Sequence, residues 1–460
     1  MNATLFTLGQ AADWIDATLV GDPRIPVSRV HTDTRSLQAG DLFVALRGDR
    51  FDGHDFLAQL QPQGVQVAMA ETGLSAHGLS GLQVRDTRQA LGQLASAWRR
   101  QLPVQLTAVT GSNGKTTVTQ MIAAIFQDHV GDAALATLGN FNNDIGVPLT
   151  LLRLRPGHRL AVLELGMNHP GEIGLLAGWV APHVALVNNA QREHQEFMHT
   201  VEAVAQENGA VLQSLPDDGV AVFPADAEFT PLWMRLAGAR RSITFGVGGD
   251  VRVLQAQAEA TGWRARVQAG ADTLEIELHL PGDHNLRNAL AAIACAQAVH
   301  VPADCIVRGL ASFRPVAGRS SARVLDVGGH RLTLIDDTYN ANPDSVRAAI
   351  DVLAQLPGPR LLVLGDMGEV GEQGPEFHTE VGHYAREQGI DDLMTHGDLA
   401  LLAAQAHGAA EHHARMEDLC AAVAQRLPQR ACLLVKGSRF MRMERVVRHL
   451  EHLNKEQQPC

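Results

Sequence analysis

The sequence predicts an α/β protein of two or three domains built on parallel sheets. Three observations lead there. The chain has 460 residues, beyond the size at which one hydrophobic core keeps growing. From Leu106 onward, short apolar runs alternate with helix-length amphipathic segments, the pattern of βα units. Each run ends in glycine or polar residues, where open parallel sheets place their ligands.

In chain order, the residues before Pro103 mix short strand-like runs with turn signals. GDLFVALRG reads as a strand bounded by glycines, and RQALGQLASAWRRQL as a helix leading to Pro103, a domain boundary. LTAVT is a strand, GSNGKTT a loop, and VTQMIAAIFQ a helix with Val118, Met121, Ile122, Ile125 and Phe126 on one face. RLAVLELG and VALVNNA are further strands, and GDHNLRNALAAIACAQAV is a helix with a polar, glycine-led start. A second boundary falls near RPVAGRS, after Phe313. Beyond it LTLIDD, RLLVLGD and ACLLVKG resume the alternation.

Composition narrows the function. A net charge of −12 excludes a nucleic-acid binder relying on bulk electrostatics. The five cysteines, Cys295, Cys305, Cys420, Cys432 and Cys460, are scattered and form no close-spaced metal or redox motif, which fits a reducing compartment. The start, MNATLFTLGQAADWID, lacks the basic and apolar regions of a secretory signal. No apolar stretch approaches the ~20 residues that span a bilayer. The expectation is a soluble cytoplasmic protein with no membrane insertion. Lysine occurs only at Lys115, Lys436 and Lys455; arginine serves elsewhere.

Gly111-Ser112-Asn113-Gly114-Lys115-Thr116 follows a strand and opens a helix, the context of a phosphate loop. Glycines let backbone N–H groups approach phosphate oxygens, and the helix N-terminus adds free donors and a favourable dipole. Lys115 would pair with the β and γ phosphates, and the Thr116 hydroxyl would ligate Mg²⁺. The strict pattern needs glycine where Val109 stands, so this is the shorter G-x-x-G-K-T form. A nucleoside triphosphate site does not name a reaction: motor, GTPase switch, kinase and ligase all remain open.

Further segments resemble the Mur ligase family, which builds the peptide stem of peptidoglycan. They are TDTRSLQAGDLFVALRGDRFDGHDF, TGSNGKTT, GNFNNDIGVPLTLL, LELGMNHPGEI, PGDHNLRNALAAIA, RPVAGRS, DDTYNANPDSVRAAI, VLGDMGEVG and VKGSRFMRMERVV, in family order over nearly the whole chain. DDTYNANP and VKGSRFMRME resemble the member that adds D-alanyl-D-alanine to UDP-N-acetylmuramoyl-tripeptide, rather than other Mur ligases or folylpolyglutamate synthase. A nucleotide-switch ATPase is the rival of a different class; it would hydrolyse ATP without regard to a dipeptide. The resemblance implies three domains: a small α/β domain binding the UDP-sugar (1–95), a central phosphate-loop, parallel-sheet ATPase domain (96–316) and a C-terminal Rossmann-like domain (317–460). It implies ATP, two Mg²⁺ ions, an acyl-phosphate intermediate and a monomer.

The same resemblance implies residue roles. Thr117 extends the ATP loop Gly111–Thr116. Glu164 and His194 bind Mg²⁺, with Glu196 assisting. Lys115, His194 and Arg319 act in catalysis. Asn285, beside His284 and Asn288, reads the adenine edge, Arg319 reaches the phosphates, and Asp337 and Tyr339 bind the nucleotide. Asp33, Thr34, Arg35 and Ser36 meet the UDP-sugar. Asn142, Asn143 and Asp144 line the substrate peptide's path. Asn340 and Asn342 orient substrate, and Lys436, Gly437, Ser438 and Arg439 bind its carboxylate or a phosphate. The family also uses a carbamylated lysine shortly after the histidine. Here that segment carries Glu207 and Asn208, and no lysine lies between Lys115 and Lys436. The expectation is that Glu207 supplies the negative charge directly; the alternative is an ordinary exposed helix glutamate.

Overall fold

The computed structural model describes residues 4–48, 51–259, 261–327 and 329–456; Cys460 lies outside them. Three main sheets carry the chain. The first is five-stranded, Thr18–Val20, Ser80–Gln83, Val67–Ala70, Asp41–Val44 and Arg29–His31 in spatial order. It is parallel except for its first pair.

The second sheet is nine-stranded and holds the phosphate loop. Gln105–Thr110 lies between Leu160–Glu164 and Val184–Val187, parallel to both. Buried on both faces, these strands read as unbroken apolar runs, which is why they were visible in the sequence. Val220–Pro224, Arg241–Phe245 and Val251–Glu259 continue the sheet in parallel. The hairpins of Val251–Glu259, Gly262–Ala269 and Asp272–Leu278 extend it antiparallel. That extension was not read from the sequence, although Ala265, Val267 and Ala269 alternate with exposed positions as a half-buried strand does.

The third sheet is six-stranded. Ser321–Val327 pairs antiparallel with His330–Asp337; then Cys432–Lys436, Arg360–Gly365, Asp392–His396 and Ala410–His412 follow in parallel. Separate apolar clusters cover its two faces. The segment 313–320 joins the helix Ala303–Ser312 to this sheet, at the sequence boundary near RPVAGRS.

The first boundary is corrected. The cut at 95/96 falls inside the helix Thr87–Arg100. Asp86 caps its start by accepting from the N–H groups of Arg88 and Gln89. Its apolar residues Leu91, Leu94, Ala95 and Trp98 share one core with the first sheet and with Ala108, Leu163 and Val187 of the second. The helix therefore mortises the two units and cannot be divided between them. It packs on the helix Glu172–Val180: Arg99 donates to the carbonyls of Val180 and Ala181, at 3.0 and 3.1 Å, satisfying C-terminal acceptors.

Gly92 faces the Trp179 ring so closely that an added Cβ would overlap it. Gly92→Ala gains helix propensity of ~1 kcal/mol but must displace an indole wedged between helices. Overpacking of this kind costs about 1–3 kcal/mol. A net loss of stability is expected, read as a lower midpoint in thermal melting of the variant.

Candidate active site

The phosphate loop sits where the sequence placed it, between the strand Gln105–Thr110 and the helix Lys115–Val130. Gly111 and Gly114 hold φ of +130° and +78°, values that disfavour other residues. A Cβ on Gly114 would stand 2.5 Å from Asn288 Oδ1 and 2.8 Å from Asn188 Nδ2. These two amides hydrogen-bond each other at 2.9 Å and form the floor beneath the loop.

The loop is braced on every side. The Ser112 N–H donates to the carbonyl of Asn189, and the Asn113 N–H to Asn189 Oδ1. Ser112 Oγ and Gln191 exchange backbone contacts. Asn208 Oδ1 accepts from Thr110 Oγ1 at 2.5 Å and from the Gly111 N–H at 3.0 Å. These bonds leave the N–H groups of the first helical turn without intrahelical acceptors, a ready anion cradle.

Lys115 Nζ donates to the carbonyls of Gly111 and Ser112 and to Glu193 Oε2, the last at 3.1 Å. Thr116 Oγ1 donates to Glu164 Oε2 at 2.7 Å, and Asn142 Nδ2 to Glu164 Oε1 at 2.8 Å. Glu164 is buried at the end of its strand, so a hydroxyl and a carboxylate suited to a hard cation meet beside the loop. His194 adopts φ +48° at the start of the short helix Gln195–Met198. Its Nδ1 stands 2.7 Å from Glu369 Oε2, an ion-pair distance without hydrogen-bond alignment. His194 beside it holds the Glu369 carboxyl below its usual range.

A cavity of about 1060 Å³ joins these groups to the third sheet. From the phosphate loop Ser112, Asn113, Gly114, Lys115, Thr116 and Thr117 line it; Gly111 does not. Glu164, His194, Asn285, Arg319, Asp337, Tyr339, Asn340, Asn342, Lys436 and Arg439 line it as well, with Asn142, Asn143 and Asp144. The Arg319 guanidinium lies over the Tyr339 ring at 3.9 Å, with Arg439 on the same ring at 5.6 Å. Two cations so placed present donors to an anion while the aromatic face limits their freedom. Asn285 is buried, giving Nδ2 to the Pro281 carbonyl and accepting from Asn288. One amide hydrogen remains for a ligand.

Several sequence expectations are corrected. Glu207 does not reach the cavity. Its two oxygens accept from the N–H groups of Gly171 and Ile173, both at 2.8 Å, so it caps the helix Glu172–Val180, where a carboxylate also suits the dipole. Glu196 is exposed and does not line the cavity. Ser438 is buried off the cavity, accepting from the Gly368 N–H and donating to the Ala341 carbonyl. Asn342 is first a helix cap, in a capping box with Ser345, although its amide also reaches Asn113 at 2.9 Å. Asp33, Thr34, Arg35 and Ser36 stand apart from this cavity, in the first sheet's unit, where the sequence placed them, and their expected contact with the UDP-sugar is not overturned. Asp33 caps the turn Thr34–Ser36 and pairs with the exposed Arg35 at 2.6 Å.

Sequence reasoning missed Glu193, adjacent to the residue it chose, and Glu369. It also missed Arg192. The Arg192 backbone N–H and side chain both hold Asp344, its guanidinium pairs with Glu380 at 2.7 Å, and it lies over Phe377. Desolvation works against its charge, but Glu380 and Asp344 outweigh that and raise its pKa. No local motif signals such a cluster, whose partners stand more than 150 positions away.

Lys436 is almost fully buried. It donates to Asp337 Oδ2 at 2.5 Å and to the Asn340 carbonyl at 2.9 Å. Burial pushes the Asp337 carboxyl up, but the Lys436 charge and its hydrogen bonds outweigh it and leave the pKa lowered.

Family models match three stretches: "Mur ligase family, catalytic domain" over 26–99, "Mur ligase middle domain" over 109–296, and "Mur ligase, glutamate ligase domain" over 322–439. The UDP-N-acetylmuramoyl-tripeptide–D-alanyl-D-alanine ligase of Escherichia coli K12 is 39% identical over 97% of this chain and 98% of its own. MurF from Acinetobacter baumannii superposes with a TM-score of 0.91 at 34% identity, covering 97% and 99%. MurF of Thermotoga maritima, solved with ADP, gives 0.81 at 27% identity, covering 94% and 98%.

Two outcomes follow from the corrected geometry. Glu207→Gln loses a helix cap, costs about 1 kcal/mol, and leaves the Mg²⁺ dependence of turnover unchanged; melting and an Mg²⁺ titration check both. Lys436→Met strands a buried carboxylate and costs about 3–5 kcal/mol; Asp337→Asn/Lys436→Met recovers most of it in urea unfolding. Because the Asp337 pKa is depressed on folding, the pair stabilises fully above the ordinary carboxylate pKa of about 4. Its contribution fades as pH falls below that. The double variant loses this part of the acid slope.

Proposed function

The chain belongs to the Mur ligase family, and from that premise we propose that it joins D-alanyl-D-alanine to UDP-N-acetylmuramoyl-tripeptide, using ATP, in peptidoglycan precursor synthesis. One observation carries the reading. Phosphate loop, acidic strand end and the Arg319–Tyr339–Arg439 stack face one cavity between the second and third sheets. A hydrolase or switch needs only the first two; a ligase must bring a second nucleophile against the activated group.

The residues fit a magnesium nucleotide. Gly114 closes a cradle that a Cβ would fill, Lys115 gathers three oxygens, and Thr116 with Glu164 offers two oxygen donors. When bound, ATP supplies the phosphoryl group that converts the tripeptide carboxylate into an acyl phosphate, and Mg²⁺ neutralises charge on phosphate oxygens. Lys115 and the first-turn N–H groups stabilise charge on the transferred group. Thr116 and Glu164 would hold one Mg²⁺ beside the loop, and His194 would serve the second. Arg319 approaches from the third sheet, so phosphate recognition requires both units to be docked. Asn285 and Asn288 fix the base end; Asp337 and Tyr339 shape the ribose side. The acyl phosphate must be kept from water until the dipeptide amine attacks and displaces phosphate.

The wider assignment is by unit. The first sheet's unit, with Asp33, Thr34, Arg35 and Ser36, takes the UDP-sugar; Arg35 is exposed and suits a diphosphate. Asn142, Asn143 and Asp144 guide the peptide, and Asn340, Asn342, Lys436 and Arg439 order the incoming dipeptide's end of the cavity. No helix among the described residues is long and apolar enough to cross a membrane. The proposed setting is the cytoplasm, with the protein acting as a monomer on small-molecule substrates.

Purified protein with ATP, Mg²⁺ and UDP-N-acetylmuramoyl-tripeptide should release phosphate only when D-alanyl-D-alanine is added, and mass spectrometry should find the joined peptide. Phosphate release indifferent to the dipeptide would sink the ligase reading. Lys115→Met should lower turnover by about 10²- to 10³-fold while the fold, followed by circular dichroism, is retained.

A further inference from the structure

Glu193 is a buried carboxylate that the chemistry above does not use. Its side chain is 6% exposed and lines the nucleotide cavity. Oε2 meets Lys115 Nζ, but Oε1 is buried with no hydrogen-bond partner. A buried carboxylate oxygen without a partner is costly unless something completes it.

The partner it has is on loan. Lys115 Nζ sits among three oxygens, the Gly111 and Ser112 carbonyls and Glu193 Oε2, an environment that would equally suit a small cation. When Lys115 turns to nucleotide phosphates, Glu193 loses its counter-charge. A buried carboxylate stripped of its cation disfavours the very complex the loop is built to bind. Either nucleotide binding is weak or another cation takes the place.

His194 shows where. Its Nε2 stands 3.9 Å from Glu193 Oε2, while its other nitrogen, Nδ1, is turned to Glu369 of the third sheet's unit at 2.7 Å. A ring nitrogen held toward a carboxylate, with the opposite one facing a metal, is the usual way a ligating imidazole is oriented. Resting on the magnesium-nucleotide reading above, we propose that Glu193 is a divalent-cation ligand, sharing the ion with His194 Nε2, and that Glu369 is the positioning residue for that histidine. Among the described residues no three His, Cys, Asp or Glu side chains form a ready-made cation site. Phosphate oxygens and water complete the set, as Mg²⁺ prefers. The ion's site is then completed only with the nucleotide bound and the third unit docked.

The test is a Mn²⁺ titration with ADP, free Mn²⁺ being read by electron paramagnetic resonance. It needs no peptide substrate, so it stands whether or not the wild-type protein makes the joined product. Glu193→Gln is expected to lose one Mn²⁺ or bind it at least tenfold more weakly, and Glu193→Asp to fall between. His194→Gln should lose the same ion, and Glu369→Gln should weaken it less. ADP binding in chelator, by calorimetry, should be unchanged or tighter in Glu193→Gln, because Lys115 is released. Circular dichroism confirms each fold; should Glu193→Gln not fold, the Asp and His194 variants carry the reading. Wild-type Mn²⁺ number and affinity in the folded variants would overturn the proposal. So would weaker ADP binding in chelator, which marks Glu193 as only a prop for Lys115.

Discussion

The segment that leaves the strand Val184–Val187 holds the molecule's working parts together. Within a few residues it meets the phosphate loop through Asn188, Asn189, Gln191 and Glu193. It meets the third sheet's unit through Arg192 and His194. Arg192 is the strongest of these links. Its guanidinium answers two carboxylates from different helices, and Arg347 shares one of them. A partly buried arginine that holds one carboxylate bidentately and a second through two more bonds resists screening far better than a surface pair. Site geometry therefore depends on a domain contact, and the domain contact depends on a loop of the nucleotide-binding sheet.

Electrostatics follow the same economy. The chain carries a net charge of −12, yet its anion-binding cavity must be locally positive. It achieves this with few lysines. Lys436 is buried and Lys115 half-buried, each against a carboxylate, Asp337 and Glu193. Of the arginines that line the cavity, Arg319 and Arg439 rest instead on Tyr339. The division suits the two side chains. An ammonium directs its hydrogens to scattered carbonyls, as both lysines do here, whereas a flat guanidinium stacks on a ring and keeps its edge for phosphate.

Most of the frame was legible because parallel strands buried on both faces write themselves as apolar runs. The phosphate loop was legible because backbone conformation demands its glycines. What could not be read was which way a helical side chain points. Glu207 and Asn208 are neighbours on the helix Val201–Gln213, about 100° apart around its axis. One caps an adjacent helix; the other braces Thr110 and Gly111. Sequence proximity to His194 favoured the glutamate for its charge, while the fold gave the inward position to the amide. The cut at 95/96 missed for a related reason: it fell within the helix Thr87–Arg100, whose apolar face serves a core that continues on both sides of Pro103.

Asn208 also explains why no charge is needed at that inward position. Its Oδ1 already accepts from a hydroxyl and a backbone N–H of the loop. A carboxylate there would gain those same two bonds but would bury a full charge directly behind the loop that must receive phosphates. Like charge at that distance in a low-dielectric site opposes nucleotide binding. A neutral amide gives the bracing without the repulsion. Negative charge stands instead at the buried Glu193 and Glu164, on the cavity side of the loop, where Lys115 and Thr116 meet it. Charge on that side can be neutralised by whatever cation accompanies the nucleotide; charge behind the loop could not.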